Sequence, residues 1–210
     1  MALSVVEEPP APSFSPSLTI PFITTENDLR VPPLRTRRAQ PYDAHAIYQL
    51  IESFTCDGTL LHRSLEEIRT NIRTFTIVET GSHQFVGCAS LHVYGQHLAE
   101  VRSIVVRPDA KGCGAGGHLV RALLDQAEAA GIKCLCLFTR IPSFFEHFNF
   151  RIADRFALRD KVMKDCIHCA RRNACDETAM AIGELPLSLN PPLVNLTPNP
   201  QLDNLVQLQL

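Results

Sequence analysis

Lys111-Gly-Cys-Gly-Ala-Gly-Gly117 stands between a strand-like run ending at Val106 and a stretch whose Leu119, Val120, Leu123, Leu124 and Ala127 form one apolar helical stripe. Glycine at 112, 114 and 116 lets the backbone approach a bound group with no Cβ in the way. The first amides of the following helix are unpaired, and the helix dipole adds about half a positive charge there. An anionic phosphate is therefore stabilised at this turn without arginines. A purely structural tight turn is the competing reading, but four glycines in six residues exceed what one turn uses. The Gly-Lys-Ser/Thr ending of a Walker loop is missing, as are the spacing and downstream acidic residue of a dinucleotide fingerprint.

Outward from the turn, helix and strand patterns alternate. Gly131 closes the helix, and the apolar run Lys133 to Phe138 reads as a buried strand. Ser143 and Glu146 form a capping box that starts a short helix from Phe144 to Phe148. Upstream, Ala99 to Val106 is a strand ending before Pro108, and Phe75 to Glu79 and Phe85 to Val93 make a hairpin around Gly81-Ser82-His83. Asp43 is placed to cap a helix bearing Ile47, Leu50, Ile51 and Phe54, and Ser64 with Glu67 makes a capping box for a second helix through Ile68 and Ile72. This order predicts an α/β fold of the α+β kind, a mixed central sheet with helices on both faces.

The flanks differ. Residues 1–34 are rich in Pro and Ser and carry no sustained period, which predicts a disordered leader; residues 184–210 hold Pro186, Pro191, Pro192, Pro198 and Pro200 and read as a tail. The predicted domain is 35–183. A net charge of -2 leaves no field that would gather nucleic acid, and the basic cluster Arg35, Arg37 and Arg38 reads as a solvated strand edge. No apolar run reaches the roughly 18 residues of a membrane span, and the amino terminus lacks the basic and apolar regions of a signal peptide. Of eight cysteines, Cys88, Cys134 and Cys136 sit in apolar strand-like runs, where a free thiol acts as a small hydrophobe. A soluble, cytoplasmic protein with reduced cysteines is the expectation.

Lys111, Gly114 and Gly116 fall where the Arg/Gln-x-x-Gly-x-Gly/Ala pyrophosphate loop of the GNAT acetyltransferase superfamily has its three marked positions, with Lys in place of the usual Arg or Gln. Ala99-Glu-Val-Arg-Ser-Ile-Val-Val-Arg-Pro-Asp109 resembles the strand leading into that loop, and Phe144-Phe-Glu-His-Phe-Asn-Phe150 resembles the late helix and turn. Within the superfamily, Leu60-Leu-His-Arg-Ser-Leu-Glu-Glu67, Ala99-Glu-Val-Arg102 and Asp165-Cys-x-x-Cys-(x5)-Cys-Asp-Glu177 are similar to the short, stand-alone N-acetylglutamate synthase type of amino-acid acetyltransferase.

The resemblance implies the GNAT acyl-CoA N-acyltransferase fold and acetyl-CoA as cosubstrate. The pantetheine would meet the backbone of Ile104, Val105 and Val106, and the pyrophosphate would lie on Lys111, Gly112, Cys113, Gly114, Ala115, Gly116 and Gly117. Cys113 also invites a reading as a low-pKa thiolate at the helix start, but the motif varies there and a small filler is the simpler assignment. An α-ammonium group must lose a proton before it attacks, and Glu100 is the candidate base, acting through water. Strand alternation projects Arg102 on the same side, so an ion pair with Arg102 is the alternative role of Glu100, and both can hold together. Arg102 and Arg63 are candidates for the carboxylates of an amino-acid acceptor, since guanidinium binds carboxylate bidentately; Arg63 reads equally well as solvent-facing.

Phe144 and Phe145 occupy the places where many such enzymes carry a Tyr acid, which leaves the departing thiolate without that donor. Cys166, Cys169 and Cys175 have the close spacing of a zinc knuckle, so a structural zinc is one expectation and ordinary thiols the other. The resemblance points to acetylation of an amino acid, L-glutamate first, as in arginine biosynthesis. Another small amine, a protein amino terminus, or a CoA-binding regulatory module are the alternatives. The expected partners are acetyl-CoA and a small amino acid, not nucleic acid or membrane, and a homodimer is compatible with the sequence.

Overall fold

The computed structural model describes residues 33–56 and 58–186, so most of the expected leader and tail lie outside the described residues. The elements are β1 (Leu34–Arg38), α1 (Ala44–Glu52), α2 (Leu65–Thr70), β2 (Phe75–Thr80), β3 (Phe85–Gly95), β4 (Leu98–Val106), α3 (Ala115–Ala129), β5 (Cys134–Thr139), α4 (Pro142–Glu146), β6 (Arg151–Ile152), α5 (Arg159–Lys164) and β7 (Thr178–Gly183). They build one seven-stranded sheet in the order β1-β2-β3-β4-β5-β7-β6. Every pairing is antiparallel except β4 with β5, so the expected mixed sheet is present.

Alternation along the strands sorts side chains to two faces. Ile77 and Cys88 turn toward Ile47, Ile51 and Ile68 of α1 and α2, whereas their neighbours Val78 and Ala89 turn toward Leu119, Val120 and Leu123 of α3. Cys88, Cys134 and Cys136 are buried strand residues as expected; burial pushes the Cys134 thiol up to about 11 and those of Cys88 and Cys136 higher still.

Three local expectations change. Asp43 precedes α1 but makes no side-chain cap; its carboxylate accepts from the Gln40 amide at 2.6 Å and from the Arg37 guanidinium at 2.7 and 2.9 Å. Ser64 caps α2 through the Glu67 amide at 3.1 Å, while the Glu67 carboxylate turns away to Arg63, so the box is half made. The late helix begins at Pro142, ahead of Ser143, because Pro suits a first helical position and the Thr139 hydroxyl already receives the Ile141 amide at 3.0 Å.

On the basic edge of β1, Arg35 and Arg38 are exposed as expected, and Arg37 is partly buried. Arg35 and Arg37 donate to the buried Glu79 at 2.6 and 3.1 Å. Burial alone would raise the Glu79 carboxyl, but the two guanidinium groups outweigh it and hold the group below the usual carboxylate range.

Candidate active site

The site begins with an irregularity in β4. Between the pairs Cys88↔Val105 and Ser90↔Arg102, β4 carries one residue more than β3, and Ser103 takes a left-handed φ of 50°. This bulge bends β4 away from β5. The two parallel strands pair only at Ala99↔Leu135 and Glu100↔Cys136 and then diverge. Between them opens a cleft of about 1050 Å³, with Ile104, Val105 and Val106 along one wall and Leu137, Phe138 and Thr139 along the other.

One end of the cleft is made of backbone. Gly114 caps α3 with a φ of 85°, and Gly112 has a φ of 86°, a region that side chains rarely enter. A Cβ at either would meet nothing within 4 Å, so the glycines are set by the dihedral and leave open space on the cleft side. The amides of Gly114, Ala115, Gly116 and Gly117 find no backbone acceptor among the described residues, and the first bond of the helix is made by His118 to the Gly114 carbonyl at 3.1 Å. Free amides, helix dipole and open room together fit a diphosphate. Lys111 lines the cleft with its ammonium 5.8 Å from the Phe54 ring centre. Cys113 differs from its neighbours: its side chain packs against the α3 core and its thiol meets the Ala110 carbonyl at 2.8 Å, away from the cleft lining.

The other end is made of side chains. Glu100 is 3% exposed, and its carboxylate receives Arg102 Nε at 2.5 Å, Lys161 Nζ at 2.8 Å and the Tyr94 hydroxyl at 2.9 Å. Arg102 also donates to the Tyr94 oxygen at 2.5 Å and to Asp165, and Asp165 stands within reach of the same Tyr94 hydroxyl, whose single proton serves Glu100 or Asp165 in turn. Burial acts to raise the Asp165 carboxyl, yet Tyr94, Arg102 and Lys161 hold it below the ordinary range; burial and the neighbouring carboxylates push the Tyr94 hydroxyl far up, so it stays a donor. The ion pair weighed for Glu100 and Arg102 is thus present, inside a larger network.

Arg63 is less solvated than one of its two readings had it. Its Nε donates to Ser103 at the bulge at 2.7 Å, and it pairs with Glu67. Arg63 and Arg102 both face the main cleft and both border an adjoining polar cavity of about 100 Å³ that also holds Ser90 and His92.

Several residues carried no assigned role in the sequence: Tyr94 of the network, and the lining residues Lys161, Asp165, Arg155 and Glu177. Only Lys161 and Asp165 left a local trace, an i,i+4 pair at 3.7 Å on and just after α5. Phe138 stands in the wall with Arg155 and Lys161 over its ring at 5.6 and 5.5 Å. Arg155 Nη2 donates to the Glu177 carbonyl at 3.0 Å. Across the mouth, the Gly58 carbonyl accepts from Arg140 at 2.8 Å and from Arg171 at 2.6 Å, and Asp176 joins the same two arginines at 2.8 and 3.3 Å.

The zinc knuckle expected of Cys166, Cys169 and Cys175 does not assemble. Among the described residues, no group of three or more His, Cys, Asp or Glu side chains is placed to hold a metal ion. Cys175 instead lies 3.7 Å from an Arg155 nitrogen, and a second Cys-x-x-Cys pair to complete a tetrahedron is lacking in the sequence. Phe144 lines the cleft and packs edge-on against Phe145 at 4.9 Å, so no phenol stands on that helix.

The family model described as the acetyltransferase (GNAT) family matches residues 41–150. An uncharacterized N-acetyltransferase of Chlorobaculum tepidum is 32% identical over 148 residues, which cover 69% of this chain and 92% of that protein. An amino-acid acetyltransferase of Pasteurella multocida is 31% identical over 127 residues, 60% of this chain; the matched part is 29% of that protein. The structure of N-acetylglutamate synthase from Neisseria gonorrhoeae, complexed with coenzyme A and N-acetyl-glutamate, superimposes with a TM-score of 0.65 at 27% identity, covering 72% of this chain and 35% of that one. The chain therefore spans well under half the length of the latter two proteins.

Proposed function

The chain belongs to the GNAT acetyltransferase family, and from that premise we propose that it moves the acetyl group of acetyl-CoA onto the α-amino group of an amino acid, L-glutamate before others. The observation that carries this reading is one continuous cleft with bare backbone amides at one end and cationic side chains at the other. A small acceptor bearing carboxylates suits the cationic end. The amino-acid acetyltransferase relative and the synthase structure holding coenzyme A and N-acetyl-glutamate support the same acceptor class.

In this reading residues 35–183 are the catalytic domain. Lys111 and the amides of Gly112, Gly114, Ala115, Gly116 and Gly117 hold the diphosphate, while the Cys113 amide goes to the Ala110 carbonyl at 3.4 Å and keeps the turn in shape. Ile104, Val105 and Val106 offer strand-like hydrogen bonds to the pantetheine, and their amides polarise the thioester carbonyl as charge develops on its oxygen. Arg63 and Arg102 turn guanidinium groups to the acceptor carboxylates from either side of the small polar cavity. Glu100 draws the ammonium and takes its proton through a water, using the lone-pair direction that Arg102, Lys161 and Tyr94 leave open. The amine then attacks the carbonyl carbon, the carbon–sulfur bond breaks, and the thiolate departs without a phenol at Phe144 or Phe145.

No helix among the described residues is long and apolar enough to cross a membrane. A cytoplasmic enzyme of arginine biosynthesis, alone or as a homodimer, is the setting this function suits. A thiol-release assay with acetyl-CoA and a panel of amino acids tests it. Release with glutamate well above all others is expected. Release only with a different amine replaces the acceptor, and acetyl-CoA binding without release on any amine turns the reading into a CoA-binding regulator.

A further inference from the structure

The motif Asp165-Cys-x-x-Cys-(x5)-Cys-Asp-Glu177 holds no metal group, yet it lines the acceptor end of the cleft with Asp165, Cys166, Cys169, Cys175 and Glu177. Each acidic member has a different fate. Asp165 is tied to Arg102 and Tyr94, and Asp176 to Arg140 and Arg171. Glu177 lines the cleft, and it alone of the three has a carboxylate that no hydrogen bond or ion pair among the described residues engages.

The charges around that carboxylate explain why it is left over. Arg140 and Lys161 both act on it electrostatically, but Arg140 is held by Asp176 at 2.8 Å and by the Gly58 carbonyl, and Lys161 by Glu100 at 2.8 Å. Arg155 reaches the Glu177 backbone carbonyl, with its guanidinium over the Phe138 ring. Of the other cleft carboxylates, Glu100 already has two cations and a phenol, and Glu67 has Arg63. Among the described residues Glu177 is therefore the acceptor-end carboxylate that no ion pair engages, and a half-buried carboxylate without a direct partner is costly until a cation arrives. Burial, the dominant influence, pushes its carboxyl above the ordinary range, which agrees with the lack of a partner.

We infer that Glu177 is the residue that binds the acceptor's ammonium group and so selects amines over their deaminated counterparts. The inference deepens the function proposed above and rests on it. Glu177 holds the nitrogen by a charge-assisted hydrogen bond, and Glu100, through water, remains the group that takes the proton. The bound ammonium in turn supplies the cation that Glu177 lacks, so acceptor binding relieves a cost already present in the free enzyme.

The test compares wild type, Glu177→Gln and Glu177→Asp in the full-length chain, measuring KM for the best acceptor of the panel, KM for acetyl-CoA, and inhibition by the acceptor's deaminated analogue, glutarate when the acceptor is glutamate. Loss of a hydrogen bond between charged groups predicts a rise of about tenfold or more in the acceptor KM of Glu177→Gln. The acetyl-CoA KM should stay within about twofold, and the analogue, which has no ammonium, should inhibit as well as before or better. Glu177→Asp should recover part of the loss. An acceptor KM within about threefold of wild type overturns the inference, as does equal weakening of the analogue or of acetyl-CoA, which marks a structural role. If the best acceptor is not glutamate, the glutamate reading fails while the comparison runs unchanged on that amine and its own deaminated form.

Discussion

The two ends of the cleft are built from opposite materials. At the glycine turn the groups presented to the cleft are main-chain amides, held by two left-handed glycines and the start of α3. At the acceptor end they are side chains from β3, β4, α5 and the approach to β7, held by one another through Tyr94, Glu100, Arg102, Lys161 and Asp165. The contrast teaches that a ligand shared by a whole family can be bound by the backbone, which substitutions elsewhere scarcely alter. A ligand that distinguishes members calls for side chains, each of which can change alone.

Substitutions that strike one end and spare the other show how separate they are. The largest expected effect is Arg102→Met, which leaves Glu100 and Asp165 without their shared guanidinium and should cost about 3–5 kcal/mol of stability in a urea unfolding experiment. Loss below about 1 kcal/mol would mean that the network is looser than its distances imply. Next, Gly114→Glu puts a carboxylate and a strained αL residue at the diphosphate cradle, and calorimetry should find acetyl-CoA affinity lowered at least a thousandfold, on the order of 4 kcal/mol, with the fold retained. Retained affinity would move the cofactor away from the turn. Glu100→Gln should lower turnover about a hundredfold with acetyl-CoA affinity unchanged, and unaltered turnover would remove Glu100 from the proton path. The smallest effect belongs to Cys113→Ala, whose thiol faces the core: acetyl-CoA affinity should stay within about twofold. A larger drop would bring that side chain back into the site.

The same contrast explains what was legible in the sequence. The glycine turn, the stripe of α3 and the strands from β2 to β5 are local patterns, and their positions agree with the structure to within a few residues. Glu100 with Arg102 was legible because two residues on one strand share a face. Tyr94 with Asp165 and Arg102 with Asp165 were not, since their separations of 71 and 63 residues leave no periodic trace. Glu177 sat in a quoted motif, but the nearby cysteines drew attention to a metal. Its distinguishing property, a missing partner, exists only after every other charge has been placed. The capping box at Ser64 located its helix but gave only the Ser64 half, because Glu67 found a stronger partner in Arg63; that at Ser143 misled, because Pro142 supplied an earlier helix start.

The bulge at Ser103 has one more consequence. By parting from β5 after two rungs, β4 becomes an edge strand in the middle of its own sheet, with main-chain donors and acceptors facing a gap instead of a neighbour. Exposed edges ordinarily recruit other chains into aggregates. Here the edge looks into the cleft, across from Leu137, Phe138 and Thr139, instead of outward from the side of the sheet. The sheet thereby keeps an adhesive surface that stays safe in a crowded solution and ready for a single kind of guest.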